Sequence, residues 1–295
     1  MKRITLTTPP SRDYELLDSG QEEKLERYGG VLLSRPDPQA LWEKRLPESE
    51  WAKAAGRYER KGREGEWHAK HLPDEWPLEF GGLKFLIKPT SFKHTGLFPE
   101  QQPNWEWVEA KIKEKPQSKV LNLFGYTGGA SLAAAKAGAE VVHVDASKTA
   151  VAWARENAKL SGLESAPIRW IIEDALLFVK REVKRGNTYD GIIMDPPAFG
   201  HGPKNELWKI EEDLLELIKL CAQLLSDKPL FFLINGYAAG YSPLAFAYNL
   251  EPLIKKFGGG LEYGDLTIEE KGGLPGQGGR LLPCGIFARW SSIMA

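Results

Sequence analysis

Residues 119–147 read KVLNLFGYTGGASLAAAKAGAEVVHVDAS, and the order of features in them decides the fold. Val120–Phe124 is a short apolar run that stops at Gly125. Gly128 and Gly129 follow, then an alanine-rich run of high helix propensity. Gly138 suits the end of that helix, because glycine enters the left-handed region without a β-carbon clash. Val141–Val144, β-branched apart from His143, ends on Asp145. Strand, glycine turn, helix, strand and acid predict half of a nucleotide-binding α/β unit. In such a unit the backbone N–H groups of the turn face a ligand, and the acid holds two ribose hydroxyls. Gly125, Gly128 and Gly129 lack the G-x-G-x-x-G spacing of dinucleotide sites, which favours a ligand without a pyrophosphate. The plainer competing reading is a close-packed turn beside a solvated aspartate.

The pattern repeats downstream. Ser147 suits an N-cap, and Gly162 lies just past the helix it would start. Ile168–Ile172 reads as a strand ending in Glu173 and Asp174. Asp174 either caps the helix Ala175–Val183 or accepts from an adenine amino group. Tyr189–Met194 reads as a strand that ends at Asp195-Pro196-Pro197, since a strand cannot run through two prolines. That places the Asp-Pro-Pro at the C-terminal edge of the sheet, where open α/β sheets bind ligands. Ala198–Leu207 reads as a flexible loop carrying His201, Lys204 and Asn205, and Ile210–Leu225 as an amphipathic helix. Leu230–Ile234 is a fifth strand, Leu244–Phe257 a helix, and Leu261–Trp290 a hairpin closed by KGGLPGQGG. That glycine run has no Lys-Ser/Thr after it and is poor evidence for a phosphate loop. The fold class is α/β: a doubly wound, Rossmann-like, mostly parallel sheet with an antiparallel edge hairpin.

Residues 1–90 differ in character, being rich in Trp, Arg, Lys, Glu and Pro. They predict a small, mainly β accessory domain, with helices over Pro38–Lys44 and Glu48–Ala55, ahead of a catalytic domain over residues 91–295. Within it, GRYERKGREGEWHAK (56–70) mixes basic and aromatic residues able to touch phosphates and stack on bases. The interleaved Glu59, Glu64 and Glu66 put a solvated charged hairpin slightly ahead. FKHTGLFPEQQ (92–102) reads equally as a linker or as a flap over a ligand.

The 295 residues suffice for one large and one small domain, and 42% hydrophobic with 27% charged residues is ordinary for a soluble protein. A formal net charge of -1 supplies no global attraction to nucleic acid. No signal peptide or membrane span is legible, and Cys221 and Cys284 lack zinc spacing. The expectation is a cytoplasmic protein with unbridged thiols, no metal and no membrane partner.

LNLFGYTGGAS, VVHVDAS, IEDAL and MDPPAFG, in this order and spacing, resemble the motifs of class I S-adenosylmethionine-dependent methyltransferases. Thr95-Gly96-Leu97-Phe98-Pro99-Glu100-Gln101, followed by Tyr126-Thr127-Gly128-Gly129 and Asp195-Pro196-Pro197-Ala198-Phe199, narrows the resemblance. It is similar to the 23S ribosomal RNA methyltransferases of the RlmI/RlmK type over about residues 90–290. The resemblance implies a seven-stranded sheet, S-adenosyl-L-methionine as cofactor, and an RNA, in particular rRNA, substrate for a monomer or homodimer. It implies that Asn122, Phe124, Tyr126, Thr127, Gly128 and Gly129 hold the methionine part. Asp145, with Ala146 and Ser147, would hold the ribose, and Glu173 and Asp174 the adenine end. Phe98 and Gln101 would be lid contacts. Asp195 would border the cofactor and, with Pro196, Pro197 and Phe199, form the catalytic set. Two departures narrow the chemistry. Cytosine-C5 enzymes of the family carry a nucleophilic Cys after the fifth strand, where this chain has Asn235-Gly236-Tyr237. Adenine-N6 enzymes place an aromatic residue directly after the second proline, where this chain has Ala198. An exocyclic amine such as guanine N2 is the expected acceptor. The competing classes are a methyltransferase for protein or small molecules, an NAD(P)-dependent oxidoreductase, and a non-catalytic binding module.

Overall fold

The structure, a computed structural model, describes residues 1–61, 64–237, 240–272 and 278–292. Residues 62 and 63 of the basic and aromatic stretch, and 273–277 of the glycine-rich link, lie outside the described residues. The chain opens with β1 (Lys2–Thr8). β2 (Tyr14–Gly20), β3 (Glu23–Tyr28) and β4 (Val31–Pro36) form an antiparallel meander. After α1 (Glu48–Trp51), β5 (Gly56–Lys61) pairs parallel to β4 and antiparallel to β6 (Glu64–Ala69). β7 (Trp76–Phe80) and β8 (Leu83–Ile87) make a separate hairpin. α2 (Gln102–Glu114) leads into β9 (Lys119–Leu123), α3 (Gly129–Lys136), β10 (Glu140–Asp145), α4 (Lys148–Leu160), β11 (Ile168–Ile172), α5 (Ala175–Arg185) and β12 (Gly191–Met194). A short hairpin of β13 (Phe199–His201) and β14 (Leu207–Lys209) precedes α6 (Ile210–Gln223) and β15 (Phe231–Gly236). α7 (Pro243–Phe257), β16 (Gly260–Glu269) and β17 (Leu281–Ser291) complete the order.

These elements form two compact units: Met1–Leu6 with Pro103–Leu266 and Gly285–Ala295, and Thr7–Gln102 with Thr267–Cys284. The large sheet has the order β1-β16-β17-β15-β12-β9-β10-β11. β9, β10, β11, β12 and β15 run parallel, and β17 is antiparallel to β15. The expected seven strands are present, and β1 adds an eighth at the edge beside β16. Its sequence, KRITLTT, is rich in β-branched residues.

Both faces of the central strands β9, β12 and β15 are buried, which is why they are largely apolar rather than alternating with polar residues. Leu121, Leu123, Ile192, Met194, Phe232 and Ile234 pack on one face with Phe178 and Val179 of α5, Leu217 and Ile218 of α6 and Leu250 of α7. The residues between them, Val120, Ile193, Phe231 and Leu233, pack on the other face with Val108 and Ile112 of α2 and Ala134 of α3. Following β9 from there, the strand order runs out to β10 and β11 on one side and to β12 and β15 on the other. The crevice above β9 and β12 is therefore the topological switch point, where such sheets bind ligands.

Two local expectations are corrected. Pro38–Lys44 is not helical: Gln21 N donates to Trp42 O (2.7 Å) and Glu22 N to Ala40 O (2.9 Å), so this backbone serves the turn between β2 and β3 instead. The helix expected over Glu48–Ala55 is a single turn, α1. Ala198–Leu207 is not a plain loop, since Phe199–His201 pairs with Leu207–Lys209. In the smaller unit, Tyr14 and Tyr28 pack edge to face at 5.1 Å above the buried Glu26–Arg35 pair. Across β5 and β6, His68 pairs with Glu59 (2.8 Å) and Lys61 with Glu66, while Arg57 pairs with Glu23 of β3 (2.8 Å). The described part of this stretch is a hairpin with exposed, partly ion-paired charges, as the plainer reading had it.

Candidate active site

Register brings the sequence-predicted residues together. Leu123 pairs with Met194 on one side and Val144 on the other, so Phe124, Asp195 and Asp145 are the next residues of three adjacent strands. They share one cavity of about 320 Å³ with Tyr126, Ala146, Ser147, Glu173, Asp174 and Pro197. Asp145 Oδ2 accepts from Tyr126 N (2.9 Å) and Oδ1 from Ser147 N (2.8 Å). Burial pushes its carboxyl above the usual range, and these two N–H groups pull against the rise. Asp174 does cap α5, accepting from Leu177 N (2.9 Å), and it also lines the cavity. Glu173 is paired with Arg181.

The glycine turn is held from below. Phe124 (φ 56°) and Tyr126 (φ 48°) both sit in the left-handed region, at a cost of about 1–3 kcal/mol each that the surroundings must offset. Gly128, at φ 92°, is the N-cap of α3 and needs no such support. Beneath the turn runs a buried chain: Asn122 Nδ2 donates to Ser131 Oγ (2.8 Å), and Ser131 Oγ is hydrogen-bonded to His143 Nδ1 (2.9 Å). A β-carbon on Gly125 would stand 2.4 Å from His143 Cε1. Gly125→Ala therefore forces a packed imidazole aside. It is expected to cost about 1–3 kcal/mol in urea unfolding and to weaken cofactor affinity in titration. Unchanged stability and affinity would refute the wedge role of His143.

Burial also pushes the His143 imidazole down to about 3, so it stays neutral beneath the turn. In the unfolded chain it takes a proton near its ordinary value of 6.5. Between those values the unfolded state binds more protons, so stability falls as pH falls through the window. At pH 5 the loss is about 2 kcal/mol. His143→Gln removes this term, so its Tm should fall less than wild type's between pH 7 and pH 5; parallel falls would refute the assignment.

At the end of β12, Asp195 Oδ1 is shut from solvent, and Asp195 N donates to Leu123 O (3.4 Å). Trp208 is buried, lines the cavity, and donates from Nε1 to Pro197 O (2.7 Å). Its ring lies 5.0 Å from that of Phe124. Phe199 is 57% exposed and meets His201 edge to face at 5.1 Å. Asn122, Thr127, Gly128, Gly129, Pro196 and Phe199 do not line the cavity itself. Asn122 lies beneath the turn in β9, and Thr127, within the turn, accepts at its carbonyl from Asn157 Nδ2 (2.9 Å). Phe98 and Gln101 belong to the smaller unit, where Phe98 precedes and Gln101 ends a short 3-10 turn over Pro99–Gln101. Gly200, Gly202 and Trp208 line the cavity without having been anticipated as site residues; the tryptophan closing a Gly- and Pro-bearing loop was the available signal.

A larger cavity, about 630 Å³, opens at the other end of the strands beside Lys119, Glu140 and Tyr189, and it contains none of the anticipated residues. Its carboxylate Glu182 already accepts from Tyr189 Oη and Asn187 Nδ2, both at 2.7 Å. Both thiols are free. Burial pushes Cys221 and Cys284 well above the usual thiol range. Among the described residues no group of three or more His, Cys, Asp or Glu is arranged to hold a metal, and no helix is long and apolar enough to cross a membrane.

A switch-point cavity with a strand-end carboxylate and a glycine turn of non-dinucleotide spacing defines an α/β enzyme of nucleoside-type cofactors. The model of the S-adenosylmethionine-dependent methyltransferase family matches residues 48–244, and the chain belongs to that family. Its cofactor is S-adenosylmethionine, which sets aside the NAD(P) alternative. The crystal structure of the SAM-dependent methyltransferase from Agrobacterium tumefaciens is similar at a TM-score of 0.94 and 41% identity, over 99% of this chain and 95% of that one. Ribosomal RNA large subunit methyltransferase K/L of Syntrophotalea carbinolica is 32% identical over 63% of this chain. Ribosomal RNA large subunit methyltransferase I of Aeromonas salmonicida is 36% identical over 47%. The matched segments span only 24% and 35% of the length of these two relatives.

Proposed function

We propose that this protein methylates an exocyclic amine, such as guanine N2, on a base of RNA, with ribosomal RNA as the substrate class. The observation that carries the reading is the meeting of Asp145 and Asp195 at one switch-point cavity. One acid suits a ribose and the other an amine.

The residues fit the cofactor. Each Asp145 oxygen accepts one backbone N–H and keeps a lone pair for a ribose hydroxyl. Ala146 and Ser147 flank that ribose, Glu173 and Asp174 take the adenine side, and the turn from Asn122 to Gly129 takes the methionine part. The cofactor supplies a methyl group already activated on a sulfonium, so no covalent enzyme intermediate is needed. The protein's work is to orient the acceptor and exclude water. The Asp195 carboxylate and the Pro196 carbonyl accept the amine's two hydrogens, which enriches nitrogen and aims its lone pair. Bound there, the cofactor would supply the methyl carbon and keep the carbon–sulfur electron pair on its sulfur, and Asp195 or water would take the proton shed by nitrogen. Phe199 stacks on the base, which must leave its own stack to reach the cavity.

Both curated relatives are named as ribosomal RNA methyltransferases, which supports RNA as the substrate. Ring-carbon methylation of cytosine needs a thiolate nucleophile. Asn235, Gly236 and Tyr237 supply none, and burial disfavours ionisation of both thiols. Label transferred from methyl-labelled S-adenosylmethionine into an extract lacking this protein should enter the RNA fraction. Label in protein or in small molecules, with none in RNA, would overturn the reading.

A further inference from the structure

The Asp195–Ala198 loop is unusually poor in torsional freedom. Both prolines have φ locked near about -65°. Asp195 and Pro196 each precede a proline, which holds their ψ angles in the extended range. One soft torsion remains in the Pro-Pro pair: ψ of Pro197, which directs everything from Ala198 to Phe199. The Pro197 carbonyl reports that torsion, and it is the group that accepts from Trp208 Nε1 at 2.7 Å.

Trp208 is well placed to hold it. It is 3% exposed, and its backbone pairs with Gly200 across the β13–β14 hairpin. Two residues on, Ile210 N donates to Ala198 O (3.1 Å), so both carbonyls after the Pro-Pro pair are tied to the same returning segment. The other face of the cavity reaches Trp208 through Phe124, whose ring lies 5.0 Å away and whose left-handed backbone belongs to the cofactor turn.

We propose that Trp208 is a positioning residue for the methyl acceptor: its indole N–H sets the one soft torsion of the Pro196–Pro197 pair and, with the tie from Ile210 N to Ala198 O, aims Phe199. The inference rests on the methyl-transfer reading of that loop. Trp208 itself touches no reacting atom. It acts through Pro197, and its packing on Phe124 keeps the acceptor hairpin in register with the cofactor turn.

Trp208→Phe keeps an aromatic ring on the Phe124 side and deletes the indole N–H together with the second ring. S-adenosylhomocysteine affinity should stay within about threefold and Tm within a few degrees, while the single-turnover rate on RNA from a strain lacking the protein falls about 10–10²-fold. A wild-type rate in the variant would overturn the proposal. So would affinity, rate and Tm falling together, which marks a merely structural role. A second readout needs no acceptor. With fluorine-labelled phenylalanine, the Phe199 resonance, assigned by its loss in Phe199→Leu, should move or broaden in Trp208→Phe. An unmoved resonance would overturn the proposal. If wild type labels no RNA, the RNA reading fails, and the fluorine result alone decides the role of Trp208.

Discussion

Asp195→Ala is expected to stop methyl transfer while S-adenosylhomocysteine still binds. The carboxylate stands at the end of β12, one residue beyond the pairing of Met194 with Leu123. A group preorganised in a secluded site needs no rearrangement when charge develops, and removing one such group costs about 10²–10³-fold in rate. The loss should fall on kcat, because in the proposed reaction the carboxylate's partner is the acceptor amine. Asp195→Asn is the sharper variant: it keeps the volume and one carbonyl oxygen but cannot take the proton. Single-turnover rates beside calorimetric titration separate the two effects. A variant that loses cofactor affinity as severely as rate would move Asp195 from the acceptor to the cofactor.

The converse pattern is expected for Asp145→Ala. Two ribose hydroxyls lose their acceptors, and each hydrogen bond to a charged group contributes about 1.5–3 kcal/mol. The same substitution frees the backbone N–H groups of Tyr126 and Ser147, so the turn loses its tether as well as its ligand. Affinity for S-adenosylhomocysteine should fall by at least about 10²-fold in titration. Under saturating cofactor the rate should recover substantially. Tight binding of NADH by wild type, with S-adenosylhomocysteine ignored, would contradict the cofactor assignment outright.

The places of these two acids were legible in the sequence because each is set by local order. A strand that ends in a lone Asp, and a strand stopped by two prolines, announce their places at the sheet edge without reference to distant residues. The turn between Phe124 and Gly129 was legible for the same reason. What escaped notice depends on contacts far along the chain. β1 is a short β-branched run whose place is set beside β16, with Arg3 reaching Asp265 across 262 residues. Pro38–Lys44 carries helix-compatible residues, yet its carbonyls are taken by the β2–β3 turn. Trp208 has no periodic pattern around it, and its meaning appears only when the hairpin returns it to Pro197 and Phe124. His143 read as one polar residue in a valine strand, and only the close approach of Gly125 shows it as the wedge under the turn.

The most direct measurement is nucleoside mass analysis of RNA from a strain lacking this protein, after reaction with the purified enzyme and methyl-labelled S-adenosylmethionine. The account predicts one new nucleoside methylated on an exocyclic nitrogen, absent when Asp195→Ala replaces wild type. A methyl on a ring carbon, or RNA left unmethylated by an enzyme that labels another acceptor, would contradict it.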